Sequence, residues 1–180
     1  LKPLVTTEFN IEGYPSESFI ELVCRVKPQQ VTLVPDPPGV LTSNAGWDTL
    51  ENKDFLVEVI QEFKTHAIRA SIFVGTEPEF IEGAAKVGCD RVELYTEPYA
   101  KAFPENQEKA IAPFIKAAEL ARELGLDLNA GHDLDLHNLR WFKQQIPWIK
   151  EVSIGHALIS DALYYGLQNT IQMYLRQLRD

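Results

Sequence analysis

No run of basic residues occurs anywhere in this chain of 180 residues, in which 17 basic side chains face 26 acidic ones for a formal net charge of −9. Nucleic acid and anionic membranes are thereby excluded as partners, since both are held by clustered positive charge. An anionic ligand would need a local electropositive pocket. Cysteine is scarce: Cys24 and Cys89 are the two present, with neither metal-site spacing nor a disulfide framework. They read as reduced, packed thiols and imply a cytoplasmic protein. No apolar stretch approaches the ~20 residues of a membrane span, and the N-terminus lacks the basic-then-apolar pattern of a signal segment. Internal repeats, low-complexity tracts and linkers are absent as well, and so is the G-x-G-x-x-G fingerprint of the doubly wound dinucleotide fold. What remains is a chain with 45% hydrophobic residues, enough for one domain with a real core.

Apolar runs of strand length alternate with helix-period segments along the whole chain. Leu4 to Ile11 predicts a strand ending at Glu12, and Ser16 is placed to cap a helix with Phe19, Ile20, Val23 and Val26 on one face. Val31 to Val34 predicts the second strand, and the long Pro-rich exit from it, with Thr42 and Ser43 in its middle, has the length of a functional loop. A helix carrying Phe55, Val59, Ile60 and Phe63 leads to a third strand over Arg69 to Val74. Thr76 to Glu79 has the form of a capping box for the helix that ends near Gly88. Arg91 to Tyr95 is the fourth strand, followed by a long helix from about Lys109 to Leu124. The last two strands each end in a Gly-His pair, Gly131-His132 and Gly155-His156. A helix capped by Asp135 and carrying Leu139, Phe142 and Ile146 separates them, and helical turns from Ser160 and an amphipathic helix through Ile171, Tyr174, Leu175 and Leu178 close the chain. Strands joined by helical crossovers imply a parallel sheet. Six such units predict an α/β fold of the TIM (β/α)8 type with six of the eight strands of a closed barrel, or alternatively a doubly wound sheet.

Glu12, Glu93, His132 and His156 each lie at or near the C-terminal end of a predicted strand, the end at which such barrels hold their active sites. Carboxylate and imidazole together suit proton transfer at neutral pH, as in enolisation or dehydration. Gly155 permits close backbone approach, and the amides opening the next helix are natural phosphate donors. Arg69 and Arg91, at the opposite ends of their strands, are expected to serve stability, and His66 and His137 to be surface or capping residues.

Four segments, Phe-Asn-Ile-Glu-Gly (9–13), Leu-Val-Pro-Asp (33–36), Asn-Ala-Gly-His (129–132) and Ser-Ile-Gly-His-Ala (153–157), together resemble the pyridoxine 5′-phosphate synthase family, and the resemblance runs the length of the chain. It implies an eight-stranded barrel that condenses 1-deoxy-D-xylulose 5-phosphate with 3-amino-2-oxopropyl phosphate, releasing phosphate and water, with no metal or other cofactor. Position by position it implies Glu12 as proton acceptor, His132 as proton donor and Glu93 as transition-state stabiliser. It implies Thr42 as a contact to the xylulose phosphate, Asp133 as a substrate contact through its backbone where many members have Gly, and Gly155 and His156 as contacts to the amino-ketone phosphate. A homo-oligomer is implied too. The family has two further βα units at the front, carrying an asparagine, an arginine, another general-base histidine and basic residues. The present residues correspond to its strands three to eight, a single domain over 1–180, and without those units are expected to be inactive. Two other readings stay open, a different phosphosugar aldolase or isomerase on the same fold and a non-catalytic phosphate-binding domain. A Schiff-base lysine would mark an aldolase, and none of the six strands has a central lysine.

Overall fold

The computed structural model of the chain describes residues 1–36, 39 and 45–179, so Thr42 and Ser43 lie outside the described residues. Six strands form one sheet: β1 (Asn10–Gly13), β2 (Gln30–Leu33), β3 (Arg69–Val74), β4 (Arg91–Leu94), β5 (Asp127–Gly131) and β6 (Glu151–Ser153). Every neighbouring pair is parallel and the spatial order is the sequence order. A doubly wound sheet would reverse its strand order midway, so that alternative is excluded. Helices α1 (Glu17–Val26), α2 (Lys53–Thr65), α3 (Pro78–Lys86), α4 (Glu97–Ala102), α5 (Gln107–Glu123), α6 (Leu139–Gln145), α7 (His156–Tyr165) and α8 (Leu167–Gln177) lie between and after the strands. The result is an open part of a TIM barrel, with one edge of β1 and one of β6 lacking a strand partner among the described residues.

Side-chain alternation along the strands divides the molecule into two zones. Val31, Leu33, Ile72, Val92, Leu94 and Leu128 belong to the apolar core, together with Phe63, Ile81, Phe114 and Phe142 from the helices. The alternate positions are mostly polar, Phe73 being an exception, and they face the concave interior. At its floor the Arg91 guanidinium pairs with Glu151 at 2.7 Å, the side-chain amide of Gln30 accepts from Arg69 and Arg91 and donates to Glu151, and Glu8 pairs with Arg69. Gln30 of β2 thus touches Glu151 of β6, which shows how strongly the sheet curls. Arg69 and Arg91 stand at the strand starts, away from the mouth, as their positions predict.

Several local expectations are corrected. The first strand starts at Asn10, not Leu4: Leu4 is 80% exposed and has no sheet partner to pack it. The Thr76–Glu79 capping box does not form, because Glu77 is the N-cap and no side chain bonds the helix start, Pro78 supplying the preset φ instead. Asp135 accepts from the amides of His137 and Asn138 as a turn, and Asn138, not Asp135, is the N-cap of α6. In α2 it is Leu56 that is fully buried, while Phe55 is 37% exposed. The helix after β6 begins at His156, four residues before Ser160. On α8, Tyr174 is buried but Ile171 and Leu175 are exposed. Helix α4 was not foreseen, since six residues are too few to show a period. Its Pro98, preset for a first turn, is the signal that could have marked it, and its Tyr99 anchors an aromatic cluster with Phe103, Phe114 and Phe142. Ser16 does cap α1, accepting from the amide of Phe19.

Candidate active site

Each functional side chain arrives on its own strand. Glu12 on β1 and Glu93 on β4 occupy inward positions by alternation, and His132 follows β5 directly. The sheet's curl brings them together: one ligand atom from each of Glu12, Glu93 and His132 lies within 4.8 Å of the others. His132 Nε2–H donates to Glu12 Oε1 at 3.4 Å, although the two residues are 120 apart in the chain. The imidazole lies against Phe73, ring centroids 4.7 Å apart, and its backbone amide donates to the Ser153 carbonyl of β6 at 2.8 Å. His132 itself has φ +62°, a conformation that side-chain-bearing residues seldom adopt.

Burial divides the two carboxyls. Glu12 keeps 35% of its side chain exposed, so a ligand can reach it, whereas Glu93 is wholly buried. Ser153 Oγ–H donates to Glu93 Oε2 at 3.4 Å, and Glu93 Oε1 has no partner among the described residues. Gly131 makes the room, because a Cβ there would stand 2.5 Å from Glu93 Oε1 and 2.6 Å from the Ser153 carbonyl. Burial, reinforced by the Glu12 charge, pushes the Glu93 carboxyl up to about 8, against a smaller opposing pull from His132. The hydrogen bond to Glu12 raises His132 above its ordinary value despite its own burial. At neutral pH the site therefore holds a proton on Glu93 and favours the imidazolium at His132. Two titratable groups pushed in useful directions beside an accessible carboxylate make a proton-transfer constellation. Glu12, Glu93 and His132 are also the residues that would hold a metal ion, once the carboxyls are ionised and the imidazole neutral.

Asp133 follows His132, its carboxyl raised chiefly by burial and lowered in part by His132 and His156. Gly155 and His156 are exposed at the start of α7, outside the three-residue cluster, so the structure gathers three of the four strand-end candidates and leaves His156 beside them. A Cβ on Gly155 would meet nothing within 4 Å. The space over that backbone is open to a ligand. Phe73, Ser153 and Thr96 were missed. Alternation along β3 and β6 was the available signal for the first two, which share the inward phase of Arg69 and Ser71 and of Glu151. Cys24, Glu62 and His66 form a second cluster between α1 and α2, but His66 Nδ1 is turned onto the Glu62 carbonyl of its own helix at 3.1 Å.

The Glu93 shift carries a sign. In the unfolded chain this carboxyl ionises near its ordinary ~4.3, while the fold holds its proton to about 8. The folded chain thus binds the extra proton between those values. This contribution to stability is complete below the lower value and is lost as pH rises to the upper one. His132, raised by Glu12, acts in the same direction. Glu93→Gln has no proton to lose, so its melting temperature relative to wild type should increase between about pH 5 and about pH 9. Parallel melting curves across that range would mean that Glu93 is ionised throughout.

Residues 1–180 match a model of the family described as "Pyridoxal phosphate biosynthesis protein PdxJ". Proteins named pyridoxine 5′-phosphate synthase are close in sequence: that of Bacteroides thetaiotaomicron is 64% identical over 179 residues, covering 99% of this chain and 76% of the relative. The one from Cytophaga hutchinsonii is 62% identical, covering 99% of this chain and 75% of the relative. This chain therefore spans about three quarters of their length. Among solved structures, the tryptophan synthase A-subunit of Pyrococcus furiosus superposes with a TM-score of 0.60 at 12% identity, covering 98% of this chain and 67% of that one. The YdjI aldolase of Escherichia coli K12 does so with a TM-score of 0.60 at 16% identity, covering 99% and 64%. At such identities the structural likeness speaks for the fold alone.

Proposed function

The chain belongs to the PdxJ family of pyridoxal phosphate biosynthesis proteins, and from that premise we propose that it is built for pyridoxine 5′-phosphate synthesis, the ring-closing condensation of 1-deoxy-D-xylulose 5-phosphate with 3-amino-2-oxopropyl phosphate. The observation that carries this reading is the cluster of Glu12, Glu93 and His132. Closing the ring requires a proton to leave a carbon beside a carbonyl and another to reach a departing hydroxyl, which leaves as water. Glu12, the accessible carboxylate, takes the first; His132, favoured as imidazolium by Glu12, gives the second. Glu93, kept neutral by burial, stabilises the transition state by adding no second negative charge beside Glu12 while negative charge develops on the reacting oxygen.

The phosphate of the amino-ketone sits at Gly155 and His156, where the first amides of α7 have no acceptor within their own helix. The net charge of −9 opposes anions globally, so the attraction is local. Titration with inorganic phosphate, followed by backbone amide NMR, should shift Gly155, His156 and Ala157 first. Shifts confined to other segments would contradict this placement. Asp133 meets substrate through its backbone. The six strands correspond to strands three to eight of an eight-stranded barrel, the single domain over 1–180 being its later part. The enzyme acts in the cytoplasm, where Cys24 and Cys89 stay free thiols, and as the homo-oligomer that the family resemblance implies. No described helix is long and apolar enough to cross a membrane.

The deciding experiment completes the chain with the two leading βα units of the Bacteroides thetaiotaomicron relative and supplies both phosphorylated substrates. Pyridoxine 5′-phosphate should form, with one inorganic phosphate released per turnover. A folded, completed chain that binds both substrates and forms no product would refute the assignment.

A further inference from the structure

His132 is the apex of a three-residue turn. The amide of Asp133 donates back to the carbonyl of Gly131 at 3.0 Å, and the intervening φ of +62° makes this the rare, strained form of the γ-turn. Such a conformation persists only where its surroundings impose it. One neighbour touches both ends of the turn. Thr96 Oγ–H donates to the Gly131 carbonyl, and the same oxygen accepts from the Asp133 amide at 3.3 Å. Thr96 is wholly buried, so water does not compete for either bond.

The position of Thr96 makes this use of its hydroxyl unexpected. It is the N-cap of α4, where a threonine hydroxyl ordinarily accepts from an amide of the first helical turn, yet no such bond is made. The hydroxyl has been diverted from its own helix to the turn after β5. Because Thr96 follows β4, the strand that carries Glu93, the bridge also ties the two strands that deliver Glu93 and His132.

We propose that Thr96 is a positioning residue for the reaction: its buried hydroxyl clamps the Gly131–Asp133 turn and so aims the His132 imidazole at Glu12. This rests on the reading of His132 as the proton donor. Without the hydroxyl, two backbone groups lose their bridging partner and the turn relaxes toward negative φ, swinging the imidazole off the Glu12 carboxylate.

The test uses the completed chain with Thr96→Val, which keeps the shape and removes the hydroxyl, and Thr96→Ser, which keeps the hydroxyl. Thr96→Val should lower kcat by about tenfold or more, as small misplacements of catalytic groups do, with KM little changed. By NMR, the His132 imidazole should titrate lower than in wild type. Thr96→Ser should restore both. If Thr96→Val does not fold, Thr96→Ala compared with Thr96→Ser gives the same contrast without the extra bulk. A hydroxyl-free variant that folds and retains wild-type kcat and His132 titration overturns the proposal, as does a Thr96→Ser no better than Thr96→Ala. His132→Asn separates the two levels: if it stays active, the proton-donor reading fails, while the His132 titration in Thr96→Val still decides whether Thr96 positions the ring.

Discussion

Replacing His132 with Asn in the completed chain should lower kcat by about 10²- to 10⁴-fold, the range typical of a lost general acid, while the melting temperature stays close to wild type. The small effect on stability has a specific reason. His132 holds φ +62°, and asparagine tolerates that region better than other side chains. The imidazole also gives the fold little beyond its contact with Phe73 and a 3.4 Å bond to a partly exposed carboxylate. Glu12→Gln should behave alike, since its side chain is at the mouth and is not part of the core. It should also lower the His132 titration, because the bond to Glu12 is the largest cause of that shift. Steady-state kinetics with both substrates, together with thermal melts and an NMR titration of the imidazole, measure all three. A near-normal kcat in either variant would remove that residue from the mechanism.

The 180 residues on their own should give no measurable turnover and should self-associate, whereas the same residues completed by two βα units should be active and better behaved. Both halves of this expectation come from the sheet. Among the described residues, one edge of β1 and one of β6 present unpaired backbone groups, and such edges recruit other strands. Closing a barrel of this class takes eight strands. Next to β6, α7 has no buried residue among its ten, and Leu163 and Tyr164 are more than four fifths exposed. The mouth also holds few cations with which to bind two phosphorylated substrates, since Lys101 is paired with Glu97 and His156 stands near Asp133. Light scattering and a product assay on the two forms check the expectation. Full activity of the isolated 180 residues in monomeric form would show that six strands suffice.

Residue pattern alone determined the class of the fold and pointed to much of the candidate site. Strand-length runs alternating with helix-period segments demand parallel pairing, because a helical crossover returns the chain to the same end of the sheet. The β3 boundaries at Arg69 and Val74 and the Ser16 cap follow from local chemistry, and local chemistry is written in adjacent residues. Strand ends likewise marked Glu12, Glu93 and His132, since in this architecture the C-terminal ends share one mouth. Where local signals compete with packing they misled: the Leu4 run has strand propensity but no partner, and Thr76 has the form of a cap while Glu77 holds the position.

Tertiary structure decided the rest. Strand order, not composition, separated the barrel from the doubly wound sheet. Contact between Glu12 and His132 depends on curvature that spans five strands, and the proton on Glu93 depends on burial supplied by neighbours far away in sequence. The role of Thr96 was the least legible. Read locally, a threonine before Glu-Pro is a helix cap; only the approach of β5 to β4 offers its hydroxyl a carbonyl and an amide at once, and a hydroxyl goes to whichever partners the fold buries beside it.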